Sequence, residues 1–245
     1  MRKNGASRTA VAVASLATLL ASLSACGGTH QSDGGDKGAS GSGSSAHRPA
    51  VGSTRIPGVG DRLYRRIPAD TGQVVAVYGA GRDSARSTAV LYTRHGKSWR
   101  RQGSWPAHNG KKGWTTDHHE DDRRSPVGVF TLTDAGGVLA DPGTRLPYTR
   151  DASFAAPRWW AKSHWHDFDY VIAIDYNRLK GTPPDDPTRP QGDAKGGSIW
   201  LHLDHGSGTS ACISLSEAAM QYLLRTLDPH QHPVVVMGDR ANLKA

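Results

Sequence analysis

Cysteine is scarce in this chain of 245 residues, which contains only Cys26 and Cys212. Two cysteines exclude a disulfide-rich scaffold. If the sulfur of Cys26 carries a covalent modification, it cannot pair with Cys212 in a disulfide. Cys212 is then a single free thiol. A lone thiol favours nucleophilic catalysis, and the alternative is a buried, inert side chain.

Other absences exclude further classes of protein. Beyond the N-terminus no apolar run is long enough to serve as a membrane span. No Ser-x-x-Lys occurs, which disfavours the serine acyltransferases that depend on it. The formal charge is +8, but no basic stripe is interleaved with aromatic residues, so we expect no nucleic-acid partner.

The N-terminus is typical of an export signal. Arg2, Lys3 and Arg8 precede a small and apolar run over residues 9–23, which ends in Leu-Ser-Ala-Cys-Gly at residues 23–27. This ending resembles a bacterial lipobox, which predicts a signal peptide at 1–25 and lipidation of Cys26. The chain would then be anchored in the membrane through its lipid, on the outer face of the cell membrane or in the cell wall. A plain signal peptide cut elsewhere is the alternative.

The remainder divides by composition into two parts. Residues 26–54 are Gly- and Ser-rich with almost nothing apolar, which predicts a flexible tether, and residues 55–245 are expected to form one folded domain. Short runs rich in Val, Ile, Tyr and Trp and bounded by Gly, Pro, Asp and Asn predict strands. These runs are 73–78, 88–93, 127–133, 170–175, 198–203 and 233–237. The fold class is therefore mostly β.

One helix is predicted near the C-terminus. Ser214 and Glu217 have the spacing of a capping box, and Asp228-Pro229 ends the run. The apolar residues at helical spacing between them are Leu215, Ala218, Ala219, Tyr222, Leu223 and Leu227.

The window 196–215 contains the candidate catalytic pair. His202 lies on a strand with Ile199, Leu201 and Leu203 on its opposite face, and Cys212 follows ten positions later after a Gly/Ser-rich turn. This spacing predicts that the imidazole comes within reach of the thiol. A helix N-terminus and an imidazolium would both favour the thiolate, and backbone N–H groups near position 211 would hold an oxyanion. The alternative is a structural Cys and a strand His.

The same window resembles the active-site segment of the L,D-transpeptidase catalytic domain family, the YkuD type, in an actinobacterial-like lipoprotein form. The shared features are a strand ending in His, a Gly-rich loop and a Cys before an aliphatic residue. Three other stretches agree with family motifs, namely 105–110, 124–130 and 170–177. The resemblance covers about 73–237 and implies a β-sandwich with one prominent helix after the Cys.

Carried over by position, the resemblance implies that Cys212 is the acylated nucleophile and His202 the general base. The Leu203 carbonyl would orient the imidazole, and Ser210 and Ala211 fall at the oxyanion and substrate positions. Ala211 departs from the usual Gly and would be strained if a positive φ were needed. The implied reaction is a 3→3 crosslink between peptidoglycan stem peptides, with no cofactor and no metal.

Several alternatives stay open. Attack by water would make the same residues an L,D-carboxypeptidase, and a non-catalytic wall-binding module is a third class. A zinc hydrolase is suggested by His164-x-His166, by residues 118–122 and by His202-x-x-His205, although none has a recognised ligand spacing. The aromatic group of Trp159, Trp160, Trp165 and Phe168 is either a substrate groove or lid, or packed core, and Trp200 would flank the site. The oligomeric state is left open.

Overall fold

A computed structural model describes residues 52–245, all of which fall within one compact unit. The predicted signal peptide, Cys26 and almost all of the predicted tether lie outside the described residues. The first described pairing joins Ser53 to Trp99. None of the helices in this part of the chain has the length and apolar character needed to cross a membrane.

The described chain is mostly β, as predicted. The strands are β1 (Gln73–Gly79), β2 (Arg86–His95), β3 (Ser98–His108), β4 (Trp114–Thr115), β5 (Ser125–Pro126), β6 (Gly128–Thr131), β7 (Ala135–Gly137), β8 (Tyr148–Arg150), β9 (Val171–Ala173), β10 (Trp200–Leu203), β11 (Ile213–Leu215) and β12 (Val234–Asp239). The α-helices are α1 (Asp61–Tyr64), α2 (Glu217–Thr226) and α3 (Arg240–Lys244). The prominent helix α2 follows Cys212 in the chain.

Ten strands form one mixed sheet in the order β6-β12-β1-β2-β3-β11-β10-β9-β7-β8, and β4 and β5 form a separate pair. The main apolar core contains side chains from both halves of the large sheet, for example Val75 and Leu91 from one half and Ile172 and Leu201 from the other. The apolar face of α2 joins the same core through residues such as Leu223. This shared interior gives the sandwich arrangement.

A second, smaller apolar core lies on the other face of the central strands. In β1, Val75 and Val77 face the main core, whereas Val74 and Ala76 face a smaller cluster on the other side. That cluster includes Ile56, Leu63 and Leu243 from the two ends of the described chain. Successive side chains of a strand point to opposite faces of the sheet, so the continuous apolar run of β1 is buried against one core on each face.

The predicted start of the long helix is wrong. Ser216, and not Ser214, is the N-cap of α2, and its hydroxyl accepts a hydrogen bond from the Ala219 N–H at 3.3 Å. Ser214 lies in β11 opposite His202, and its hydroxyl donates to the Asp204 carboxylate at 2.6 Å. Residues 213–215 are held in strand conformation by pairing with β10 on one side and β3 on the other. The local sequence pattern does not contain this pairing and therefore places the start of the helix too early.

Candidate active site

Two parallel strands position the candidate nucleophile and base. β10 pairs in parallel with β11, so that Leu201 lies opposite Ile213. A parallel neighbour requires the intervening loop, residues 204–212, to return to the start of β10 before β11 begins. Cys212 precedes β11 and therefore lies beside Trp200, at the start of β10. The loop does not simply reverse the chain as predicted.

The ring of His202 is fixed by its backbone and by an aromatic neighbour. Its Nδ1 lies 2.7 Å from the carbonyl oxygen of Leu203, so Nδ1–H is the donor and Nε2 is left as an acceptor. The Phe168 ring packs edge-on at 5.2 Å between centroids. Burial lowers the pKa of His202 from 6.5 to about 4, and the nearby Asp167 carboxylate opposes this shift. The imidazole is therefore neutral at pH 7.

The half-buried thiol of Cys212 is held by backbone groups. Its Sγ lies 3.5 Å from the Ser198 carbonyl oxygen, to which the S–H can donate, and the Trp200 N–H donates to the sulfur at 3.4 Å. Burial raises the pKa of Cys212 from 9.0 to about 11, although the Trp200 N–H opposes the shift. The expected thiolate is contradicted, because β11 separates Cys212 from the N-terminus of α2 and His202 is uncharged.

His202 and Cys212 nevertheless open into the same cavity of about 370 Å³. In the described part of the chain, the side chains of His202 and Cys212 are hydrogen-bonded to backbone groups and not to each other. The residues that line the cavity are Lys111, Trp160, Ala161, His164, Asp167, Phe168, His202, His205, Gly208, Thr209, Ser210 and Cys212. The structure thus brings the predicted pair to one concave site, with the thiol hydrogen-bonded to the backbone.

The other predicted site residues surround this pair. Ser210 is exposed and lines the cavity, whereas the Ala211 carbonyl accepts a hydrogen bond from the Ser125 hydroxyl at 2.6 Å. Ala211 is not among the described non-glycine residues with positive φ, so the strain considered from the sequence does not arise. The oxyanion roles of Ser210 and Ala211 stay predictions.

Positive φ occurs instead at Ser198, a residue that the sequence did not single out for the site. Its φ is +50°, and its carbonyl oxygen is the acceptor for the Cys212 thiol. Its hydroxyl accepts a hydrogen bond from the Arg189 guanidinium at 2.5 Å. A left-handed backbone conformation costs energy at a non-glycine residue. At Ser198 it is held in place by the hydrogen bonds with Arg189 and Cys212.

Asp167 is the second residue that sequence reasoning missed. Its backbone carbonyl accepts from the Leu203 N–H at 2.9 Å, which fixes it beside β10. Its carboxylate oxygen Oδ2 lies 2.9 Å from His164 Nδ1 and 3.1 Å from His205 Nδ1. These three residues form a potential metal-ligand group. It takes one histidine from each of two separate sequence clusters, His164-x-His166 and His202-x-x-His205.

The aromatic group divides between the cavity and the surface. Trp160 and Phe168 line the cavity, while Trp159 is 85% exposed. Trp165 packs under the Arg158 guanidinium, 4.8 Å from the ring centroid. Trp200 contacts Phe168 on the same strand face as His202, at 5.3 Å between centroids.

Comparison with known proteins gives a family match and several distant structural similarities, of which two are described here. The model of the family described as YkuD, L,D-transpeptidase catalytic domain, matches residues 61–236. The solved structure of Bd1075 from Bdellovibrio bacteriovorus is 14% identical with a TM-score of 0.39, covering 76% of this chain and 51% of that one. The helical cell shape determining protein Pgp2 from Campylobacter jejuni is 17% identical with a TM-score of 0.41, covering 70% of this chain and 48% of that one.

This chain thus spans about half the length of each of these two proteins. No match was found among curated proteins.

Proposed function

Because this chain belongs to the L,D-transpeptidase catalytic domain family, we propose that it is a peptidoglycan L,D-transpeptidase with Cys212 as nucleophile and His202 as general base. The substrate is a tetrapeptide stem, which forms a thioester with Cys212 and releases D-Ala. A second stem then resolves the thioester into a 3→3 crosslink.

One observation carries the assignment of residues: Cys212 and His202 line one cavity, and the Leu203 carbonyl fixes the tautomer of His202. With Nδ1–H engaged, the lone pair of Nε2 is the basic group of the ring. A neutral imidazole at pH 7 is the form that a general base requires. The Leu203 carbonyl is a positioning group, since it acts through the ring.

The resting protonation states determine how the thiol is activated. Burial raises the pKa of Cys212 to about 11 and lowers that of His202 to about 4, so the empty site favours the neutral pair over the ion pair. We therefore place proton transfer in the same step as attack. The sulfur leaves the Ser198 carbonyl and bonds to the carbonyl carbon of the third stem residue, while its proton passes to Nε2.

The proton then follows the leaving group. Collapse of the tetrahedral intermediate breaks the amide bond, and His202 gives its proton to the amine of the departing D-Ala. The side-chain amine of a neighbouring stem attacks the thioester, His202 accepts a proton from it, and the Cys212 thiol is restored. If water attacks instead, the product is a tripeptide stem, and the same residues act as an L,D-carboxypeptidase.

The nucleophile is tested by intact-protein mass spectrometry after incubation with a carbapenem. We expect one covalent adduct, mapped to Cys212 by peptide analysis and absent from Cys212→Ala. The matched control is Cys26→Ser, which removes the only other cysteine and should retain the adduct. An adduct that persists in Cys212→Ala would contradict the assignment.

The reaction is tested with disaccharide tetrapeptides as both donor and acceptor. We expect release of D-Ala and a 3→3 dimer, with both products lost in Cys212→Ala and in His202→Gln. Tripeptides without dimers would identify the carboxypeptidase. D-Ala release that survives Cys212→Ala and is abolished by a chelator would indicate a zinc hydrolase. Binding to sacculi without release of D-Ala would indicate a wall-binding module.

We also propose that the mature protein is anchored by lipid on Cys26, outside the cytoplasm. The support is the sequence of residues 1–27, with its basic start, its apolar run and small residues before Cys26. Metabolic labelling with an alkyne fatty acid should mark the wild-type chain and Cys212→Ala but not Cys26→Ser. Labelling of Cys26→Ser would reject the anchor.

A further inference from the structure

Three side chains converge on one point in the wall of the Cys212 cavity. His164 Nδ1 and His205 Nδ1 lie 2.9 and 3.1 Å from the same oxygen of Asp167, and the two imidazole rings are 4.2 Å apart. His164 and Asp167 come from one turn before β9, whereas His205 comes from the loop after β10. The fold therefore joins two segments that are distant in sequence.

His205 is the unusual member of this group. Its side chain is only 5% exposed, yet neither ring nitrogen has a hydrogen-bond partner within the part of the chain that the structure describes. Nδ1 is close to the Asp167 oxygen but is not directed at it as a donor. A buried polar group without a partner destabilises the folded state, because it loses its hydrogen bonds to water and gains none in return. The structure therefore points to a partner outside the protein chain.

The spacing of the three side chains can accommodate a transition metal, and the 2.9 Å between His164 Nδ1 and Asp167 Oδ2 is a hydrogen bond when no ion is bound. A tetrahedral zinc ion with bonds of about 2.0–2.2 Å holds its ligand atoms about 3.3–3.5 Å apart. The observed separations of 2.9 and 3.1 Å lie a few tenths of an ångström below that range, so a small outward movement of the ligands would accommodate the ion. Two imidazoles and one carboxylate are also a common donor set for zinc.

We propose that His164, Asp167 and His205 bind one Zn²⁺, with its fourth position open to the cavity that contains Cys212. This site departs from the expectation that the chain binds no metal. The ligands have no recognised spacing in the sequence, because they come from two clusters that only the fold brings together. By connecting the turn before β9 to the loop after β10, the ion also stabilises the folded state.

The site is tested by Zn²⁺ titration in competition with a chromophoric chelator. The protein titrated is the full chain with the substitution Cys212→Ala, which is the parent for all further variants. Without the thiol, residue 212 cannot act as a metal ligand, and the result does not depend on acyl transfer. We expect one tight site per chain, weakened more than about 100-fold by His205→Gln or Asp167→Asn, since loss of a mere outer-shell partner already costs 10–100-fold.

The matched control is His166→Ala, which removes a neighbouring histidine that pairs with Asp169 at 2.8 Å and is 79% exposed. It should bind Zn²⁺ as tightly as its parent. Zn²⁺ should also raise the melting temperature of the parent and of His166→Ala, but not of His205→Gln.

His164 is 27% exposed, so His164→Gln provides a ligand variant that perturbs folding least if His205→Gln does not fold. Unchanged Zn²⁺ affinity in His164→Gln and Asp167→Asn would overturn the site. A parent that takes up no Zn²⁺ would overturn it as well.

Discussion

At the scale of single residues, the resting chemistry of the site depends on the burial of one sulfur atom. Cys212 sits among backbone groups at the start of β10, and its raised pKa reflects the loss of solvation of the thiolate. His202 is shifted in the opposite direction for the same physical reason, since burial also penalises the imidazolium. Both shifts favour the neutral pair over the ion pair.

This state predicts an unusual pH dependence for alkylation of Cys212. A pKa of about 11 means that the thiolate fraction rises about tenfold per pH unit through the whole range from 7 to 10. In Cys26→Ser, where Cys212 is the sole cysteine, the rate of reaction with iodoacetamide should rise over that range without reaching a plateau. Mass spectrometry gives the rates. A plateau already present at pH 7 would show a preformed thiolate–imidazolium pair.

Ala211 gives a prediction about stability rather than catalysis. Its φ is not positive, so Ala211→Gly relieves no strain and only increases the conformational entropy of the unfolded chain. We expect the free energy of unfolding to fall by about 0.4–1 kcal/mol, measured by urea denaturation. A gain in stability would mean that the alanine methyl is strained in the folded state.

At the scale of elements, the short strand β11 separates Cys212, the proposed nucleophile, from the helix α2. The register of β11 against β10 places Cys212 beside Trp200, and α2 begins after its N-cap residue Ser216. An oxyanion formed in the proposed reaction therefore gains little from the dipole of α2, whose influence falls off within one turn. The fixed groups around the sulfur are those of β10 and of the loop 204–212.

The cap of α2 can be tested directly. Ser216→Ala should cost about 1 kcal/mol of unfolding free energy, because the Ala219 N–H loses its acceptor. Ser216→Asp should restore most of it, and Ser207→Ala, at an exposed serine in the loop before β11, should be neutral. Denaturant unfolding of the three variants makes the comparison. If Ser216→Ala is as neutral as Ser207→Ala, the cap does not contribute.

Elements with a strong local pattern could be predicted from the sequence, and others could not. β1 and β12 are apolar and β-branched, and both were expected close to their observed bounds. β3 was missed because most of its residues are polar and only Trp99 and Ala107 are buried. Its strand conformation comes from pairing with β2, which a local pattern does not contain.

The same distinction applies to the site. Cys212 and His202 lie in one short window, and a family pattern identifies them. Asp167 and His205 meet only because the Leu203 N–H binds the Asp167 carbonyl and brings the turn before β9 beside β10. That contact is tertiary, so no spacing in the sequence indicates it.

At the scale of the whole molecule, the two apolar cores define the smallest folding unit. The smaller core is closed by residues from both ends of the described chain, including Ile56 and Leu243, which are 1% and 0% exposed. A backbone hydrogen bond from the Gly60 N–H to the Leu243 carbonyl, at 2.7 Å, joins the same two ends. The stability of the central strands therefore depends on residues just after the predicted tether.

This arrangement predicts where truncation stops being harmless. A chain that begins at residue 52 keeps every described residue of both cores and is the reference for unfolding in urea. A chain that begins at residue 60 loses Ile56 and Val59, which are 1% and 6% exposed, and should be destabilised by more than Ile56→Ala alone. That substitution should itself cost about 2–5 kcal/mol, since it leaves a cavity in a packed core. Equal midpoints for the two truncated chains would mean that the smaller core closes without its N-terminal residues.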